Sequence, residues 1–88
     1  EGNSDWEFFQ EAFNKADRDF LKKLKEAHPL LTPNDLKLCV YLRLNMSSKE
    51  IAPMLNISPQ SVEIKRFRLR KKLELDHEQN LTEYILNL

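Results

Sequence analysis

The stretch SSKEIAPMLNISPQSVEIKRFRLRKKL, residues 47–73, predicts two helices joined by a tight turn. Ser47, followed three residues later by Glu50, forms a capping box that starts the first helix. Ser58, followed by a proline, starts the second, because serine caps a helix and proline fits its first turn. The turn between the helices contains Asn56, which tolerates the left-handed conformation that ends a helix. The fold is organised around this pair of helices.

The second helix of the pair is strongly basic. Residues 63–72 carry six Lys or Arg and one acid, Glu63, a balance of +5. The 14 bases and 14 acids of the whole chain cancel, but a phosphate backbone responds to local charge within a Debye length of about 8 Å. A solvated, salt-bridged helix face is the alternative, and the shortage of acids disfavours it. The pattern is typical of a DNA-binding helix-turn-helix.

The flanking segments also predict helices. Thr32 with Pro33 starts one helix, Asn45 ends it, and Asn80 starts a last helix at about 81–87. Within the first helix of the central pair, Pro53 predicts a kinked, shortened or partly 3₁₀ helix, because proline removes an interior hydrogen bond. The predicted fold class is all-α, a helix-turn-helix bundle of about four core helices preceded by a long amphipathic N-terminal helix.

Residues 1–29 are predicted to be a linker or dimerisation helix, and residues 30–88 the DNA-binding domain. Apolar side chains recur at steps of three and four over 5–27, which predicts one helix about 35 Å long. Because such a rod exceeds what a three-helix core can cover, a dimer seam or a sensor linker is favoured over purely intramolecular packing. The predicted partner face consists of Trp6, Phe9, Phe13 and Phe20, with Tyr84 and Leu88 from the last helix.

Composition excludes several other classes of protein. The only cysteine, Cys39, rules out an internal disulfide and fits the reducing cytoplasm. No apolar run approaches the roughly 20 residues of a membrane span, so no membrane contact is expected. His28 and His77 lack partners at metal-binding or catalytic spacing, and we expect neither enzyme activity nor a cofactor nor a metal.

Residues 31–75 closely resemble the LuxR/GerE-type helix-turn-helix of bacterial transcription regulators. The resemblance implies sequence-specific binding of double-stranded DNA by the output domain of a larger protein with an upstream sensor or input domain. It also implies a homodimer. A sigma-factor-type promoter-reading domain and a helical protein-interaction module acting through the aromatic first helix are the alternatives. The matching elements are Leu31-Thr32-Pro33, Ser47-Ser48-Lys49-Glu50-Ile51-Ala52, Leu55, Ile57-Ser58, Ser61-Val62-Glu63 and Arg70-Lys71-Lys72-Leu73.

The same resemblance assigns roles to the side chains of the basic helix, 59–73, when it lies in the major groove. Positions that contact bases in this family correspond here to Glu63, Ile64 and Phe67. Arg66 points inward by periodicity and is predicted to form a structural ion pair with Asp35 or Glu50. The predicted phosphate contacts are Lys49, Ser58, Gln60, Ser61, Lys65, Arg68, Lys71 and Lys72.

Overall fold

The computed structural model describes residues 2–88, with side chains from Asp5 onward. Within that range the chain is helical and contains no strand, which confirms the all-α prediction. The molecule measures 37 × 30 × 21 Å, and α4 packs closely on α5 while α3 packs on α6. The helices are α1 Gly2–Ala16, α2 Phe20–Ala27, α3 Pro33–Arg43, α4 Ser48–Leu55, α5 Pro59–Lys72 and α6 Leu81–Leu86.

The predicted starts of α3, α4 and α6 are confirmed by their capping bonds. At the start of α3, the backbone N–H of Thr32 donates to Asp35 Oδ2 at 2.9 Å, and the N–H of Asp35 donates to Thr32 Oγ1 at 3.2 Å. At the start of α4, Ser47 and Glu50 form the same reciprocal box at 2.8 and 3.2 Å. Asn80 caps α6 by accepting from the N–H of Glu83 at 2.9 Å. These short-range bonds fix where each helix begins.

Three helices end in the same way, on a residue with positive φ. Asn45, Asn56 and Glu74 have φ values of 61°, 59° and 59°. In each case the last turn closes with the paired backbone bonds of a Schellman motif, such as Ile57 N–H to Ala52 O at 3.0 Å after α4. The two asparagines follow the prediction, whereas Glu74 was not anticipated because glutamate seldom adopts this conformation. The next residues, Met46, Ile57 and Leu75, pack against the core.

Pro53 disturbs α4 less than predicted. Residues Ser48–Leu55 remain α-helical throughout, with Pro53 inside the helix and no 3₁₀ segment. The proline lies in the last turn, so that the hydrogen bond it removes is the one to the carbonyl of Lys49, an exposed residue where water can take over. Of the three predicted effects, a kink, a shortening or a partly 3₁₀ segment, the 3₁₀ segment is absent from α4.

The long N-terminal helix is broken in two, contrary to the prediction of one rod over 5–27. The break allows the aromatic stripe to fold back onto the bundle. Trp6 and Phe9 lie with their ring centroids 6.1 and 6.0 Å from that of Tyr41, and Phe13 meets Phe20 edge to face at 6.0 Å. A straight rod would have left part of this apolar surface in water, which burial of aromatic rings avoids.

One hydrophobic core joins α1 and α2 to the helices that follow them in the chain. Residues from α1 and α2 contribute to it as fully as those of the central pair, so α1 and α2 pack as part of the bundle. Among the described residues, no helix is both long and apolar enough to cross a lipid bilayer. The buried core residues are Phe13, Phe20, Leu21, Leu24, Leu38, Cys39, Val40, Tyr41, Leu42, Ile51, Ala52, Val62, Leu69, Leu73, Leu81 and Ile85.

Candidate nucleic-acid interface

The basic helix α5 begins on an open N-terminus at the surface. Ser58 is its N-cap, accepting from the N–H of Ser61 at 3.1 Å while its hydroxyl donates to Ser61 Oγ, also at 3.1 Å. Pro59 and Gln60, in the first turn, are exposed. The positive end of the helix dipole is therefore directed at solvent between side chains that can bind an anion.

Buried side chains hold α5 against α4. Val62 and Leu69 of α5 and Ile51 of α4 are fully buried in the shared core. Because these apolar contacts fix one face of α5, the opposite face is presented to solvent. The outward face therefore has a defined orientation relative to α4.

The three predicted base-contacting residues all lie on that outward face. Ile64 and Phe67 are 53% and 58% exposed, which leaves both apolar side chains free to contact a partner. Glu63 is also exposed, and its carboxylate accepts a hydrogen bond from the hydroxyl of Ser48 on α4. The ammonium of Lys71 lies 4.7 Å from the centre of the Phe67 ring, a cation–π contact that holds both side chains together.

The predicted phosphate-contacting side chains surround this face. Lys65, Arg68 and Lys72 line one flank, in a cleft against the first turn of α3. Of the whole predicted set only Ser61 is half-buried; Lys49, Ser58, Gln60, Lys65, Arg68, Lys71 and Lys72 are exposed. The structure therefore brings the predicted cations to the edges of one surface.

Lys72 differs from its neighbours because it already has an acidic partner. Its ammonium lies 2.6 Å from Asp35 Oδ2. Burial alone would raise the pKa of Asp35, but the hydrogen bonds from Lys72 and Thr32 outweigh that effect and lower the pKa below its ordinary value of 3.8. Asp35 therefore stays ionised and holds α5 against the start of α3.

Among the described residues, Arg66 does not form the predicted ion pair with Asp35 or Glu50. Arg66 is half-buried, as its periodicity indicated, but its Nη2 donates to the hydroxyl of Thr82 on α6 at 3.3 Å. Asp35 is taken by Lys72, and Glu50 is occupied in the capping box at the start of α4. Within the described residues, the two ion pairs are those of Arg43 with Asp17 and Lys72 with Asp35.

Two further arginines organise the surroundings of the interface, and sequence reasoning missed both. Arg70 donates to the carbonyls of Asp76 and Gln79, each at 2.6 Å, and so shapes the loop after α5. Arg43 lies 2.7 Å from Asp17 and donates to the carbonyls of Ile85 and Leu86 at 2.8 and 3.0 Å. Their partners are mostly backbone carbonyls, which a sequence pattern does not reveal.

The predicted partner face is only partly available at the surface. Phe13 and Phe20 are 6% and 1% exposed, buried by their own chain, so their assignment to an interface is corrected to the core. Trp6 and Phe9 are half-buried. Intramolecular packing, the alternative raised for the stripe, accounts for Phe13 and Phe20, and in part for Trp6 and Phe9.

Tyr84 and Leu88 are both half-buried. The hydroxyl of Tyr84 is hydrogen-bonded to Nε2 of His28 at 2.7 Å, which links α6 to the end of α2. His28 is therefore used in packing. The nearby Leu86 is 41% exposed, so the last turn of α6 presents an apolar side chain at the surface.

The buried thiol of Cys39 is unreactive. Burial, with a smaller contribution from the negative charge of Asp35, raises its pKa to about 12. The thiolate is the reactive form of cysteine, so Cys39 stays protonated and unreactive in the folded chain at neutral pH. Within the part of the chain that the structure describes, no cluster of three or more His, Cys, Asp or Glu is arranged to hold a metal ion.

Comparison with known proteins gives one match. The family model described as "GerE: Bacterial regulatory proteins, luxR family" matches residues 30–85, more than half of the 88-residue chain. No match was found among curated proteins or among solved structures. The matched segment runs from just before α3 to α6, and so contains the helix pair, the basic face and the arginine contacts to α6.

Proposed function

The chain belongs to the luxR family of bacterial regulatory proteins, whose helix-turn-helix binds DNA in transcription regulation, and we propose that its α5 lies in the major groove of double-stranded DNA. The observation that carries this proposal is the exposed strip of Glu63, Ile64 and Phe67, bordered by cations, on a helix of which the opposite face is buried. A major groove about 12 Å wide accommodates one helix presented in this way.

In this arrangement the strip contacts bases and its borders contact the backbone. Glu63 accepts from an exocyclic amine such as cytosine N4, while Ile64 and Phe67 pack on thymine methyl groups. Phosphates are bound by Lys49, Gln60, Lys65, Arg68 and Lys71, by the hydroxyls of Ser58 and Ser61, and by Lys72 in addition to its bond with Asp35. The open N-terminus of α5 adds its dipole to the same field.

We further propose that the protein acts as a homodimer, with the end of the chain at Tyr84, Leu86 and Leu88 as the seam and an upstream sensor controlling it. One such domain contacts few bases, and two-fold dimers bind paired half-sites. Sedimentation of Leu86→Glu, at the exposed leucine of α6, should show dissociation relative to the unsubstituted chain. Leu30→Glu, at a leucine that is 90% exposed on the loop before α3, is the matched control and should leave association unchanged. Equal behaviour of the two variants would contradict the seam.

The proposed DNA contacts are tested by fluorescence anisotropy with duplex DNA over a salt series. The logarithm of affinity should fall with the logarithm of salt by about 0.9 per phosphate contact. Lys65→Ala should weaken all duplexes alike and reduce that slope by about one contact. Lys25→Ala, which removes an exposed lysine of α2, should change neither quantity. Absence of binding at about 50 mM salt would contradict the proposal.

Base contact requires a second measurement, the selection of bound sites from random DNA. Phe67→Ala should change the selected sequence at the position where the ring meets a thymine methyl. Phe8→Ala is the matched control, because Phe8 is 76% exposed on α1, a helix outside the helix-turn-helix. If both variants select the same sequence as the unsubstituted chain, Phe67 does not contact a base.

The two alternative functions have less support. The family match favours the LuxR-type domain over a sigma-factor-type domain. A module acting through the aromatic helix would need those rings on the surface, whereas Phe13 and Phe20 are buried.

A further inference from the structure

A side-chain bond crosses the helix-turn-helix from α4 to α5. The hydroxyl of Ser48, the first residue of α4, donates to Oε2 of Glu63 in the second turn of α5. The capping box of α4 is formed by Ser47 and Glu50 and does not use this hydroxyl. The bond can therefore be removed without removing the cap.

Glu63 lies among cations, and yet it is bonded to a neutral group. Lys49 and Arg66 line the same cleft as Ser48 and Glu63, and Arg66 is three residues along α5, a spacing at which Glu and Arg commonly pair. Arg66 is instead turned towards Thr82. Among the described residues, Glu63 forms no ion pair within 4 Å.

Among the residues whose side chains are described, only Oε2 of the Glu63 carboxylate is hydrogen-bonded, and Oε1 has no partner. With Oε2 bonded to Ser48, the rotamer of Glu63 is restricted, and Oε1 remains free to accept a further hydrogen bond. A negatively charged acceptor suits a base edge that offers an amine and is repelled by an edge that offers an oxygen. In the major groove cytosine N4 and adenine N6 are such amines, whereas guanine O6 and thymine O4 are acceptors.

We propose that Ser48 is a positioning residue for DNA selectivity: it directs Glu63 towards an amino-bearing base and away from the neighbouring cations. The proposal rests on the proposed function, since it specifies the base class that α5 selects. Ser48 acts through Glu63 and need not itself touch DNA. Its effect is therefore expected on discrimination between bases more than on overall affinity.

A double-substitution cycle on the complete 88-residue chain tests this. The base position read by Glu63 is located first, as the one whose preference is lost in Glu63→Ala during selection from random DNA. Affinities are then measured for duplexes carrying each base at that position, and the discrimination ratio is the affinity for the preferred base divided by the affinity for another base. This ratio is determined for the unsubstituted chain, Ser48→Ala, Glu63→Ala and the double variant. Ser48→Ala should reduce the ratio by about threefold or more, and should have no further effect once Glu63 is alanine. Ser48→Thr retains the hydroxyl and should restore the ratio.

The possible failures are distinguishable. If the unsubstituted chain binds no duplex with the expected salt dependence, the proposed function is wrong and the role of Ser48 is overturned with it. If the chain binds DNA but Ser48→Ala leaves the ratio unchanged, or lowers it equally in the Glu63→Ala background, only the positioning role is overturned. The same holds if Glu63→Ala leaves every base preference intact.

Discussion

The carboxylate of Asp35 accepts hydrogen bonds from two helical segments. Its carboxylate accepts from the N–H of Thr32 at the start of α3 and from the ammonium of Lys72 near the end of α5. These bonds lower its pKa below 3.8 despite its partial burial. A carboxyl whose pKa is lower in the folded than in the unfolded chain contributes stability above the unfolded value, and that contribution is lost as the pH falls through the folded value.

The first prediction concerns this group. Asp35→Asn, which resembles the protonated carboxyl, should lower the free energy of unfolding by about 1 kcal/mol at neutral pH. The difference in unfolding free energy between the variant and the unsubstituted chain should narrow as the pH falls below 3.8 and through the lower pKa of the folded state, because the carboxyl is then protonated and neutral like the amide. Urea unfolding, monitored by circular dichroism at a series of pH values, measures the free energy of unfolding of both proteins. Lys72→Ala keeps the capping bonds of α3 and should lower the free energy of unfolding by less than Asp35→Asn does. A difference in unfolding free energy between Asp35→Asn and the unsubstituted chain that stays constant with pH would contradict the interpretation.

At the scale of elements, α6 depends on other helices for its place. It has six residues, too few for a stable isolated helix. Arg43 donates to carbonyls in its last turn, Arg66 donates to Thr82 in its first turn, and Arg70 binds the loop before it. Arg43 also lies over the ring of Phe20 at 4.6 Å, in contact with the core.

The second prediction is that Arg43→Met releases α6. Methionine keeps much of the apolar stem but loses the bonds to the carbonyls and leaves Asp17 without its partner. We expect a loss of about 2 kcal/mol in unfolding free energy and faster hydrogen exchange at the amides of 81–86. Arg18→Met, at an exposed arginine between α1 and α2, is the control. Equal exchange rates in the two variants would show that packing alone holds α6.

The sequence predicts the start of a helix well where the residues that determine it are close together in the chain. Caps such as Ser47 with Glu50 join residues three apart, so the sequence displays both partners together. The break between α1 and α2 depends instead on distant residues, because Tyr41 receives the rings of Trp6 and Phe9 only after the chain folds back. The partner of Arg66 was missed for the same reason: Thr82 lies 16 residues away on a different helix.

At the scale of the whole molecule, the first helix belongs to the same packing unit as the helix pair. Phe13 joins the buried core, and Trp6 packs against it. Trp6 lies against Tyr41, with the ammonium of Lys37 5.1 Å from its ring centre. As the only tryptophan of the chain, it is a spectroscopic probe of the place where α1 meets α3.

The third prediction is therefore that the chain unfolds as one unit. Tryptophan fluorescence and far-ultraviolet circular dichroism should give the same urea midpoint, since loss of the core removes both signals together. The variant Tyr41→Leu, which keeps an apolar side chain but loses the ring under Trp6, should separate the two midpoints, with fluorescence changing first. Separate midpoints in the unsubstituted chain would mean that α1 folds independently of the bundle.

Because Cys39 is buried, the rate at which its thiol is alkylated reports the opening of the core. The side chain is 0% exposed, and its thiol stays protonated in the folded state because burial raises its pKa to about 12. An alkylating reagent can therefore modify it only in molecules whose core has opened. At low reagent concentration the labelling rate reports the population of open molecules, and at high concentration it reports how often they open. At low reagent concentration, addition of duplex DNA should slow labelling by the factor 1 + [DNA]/Kd, because binding stabilises the folded chain.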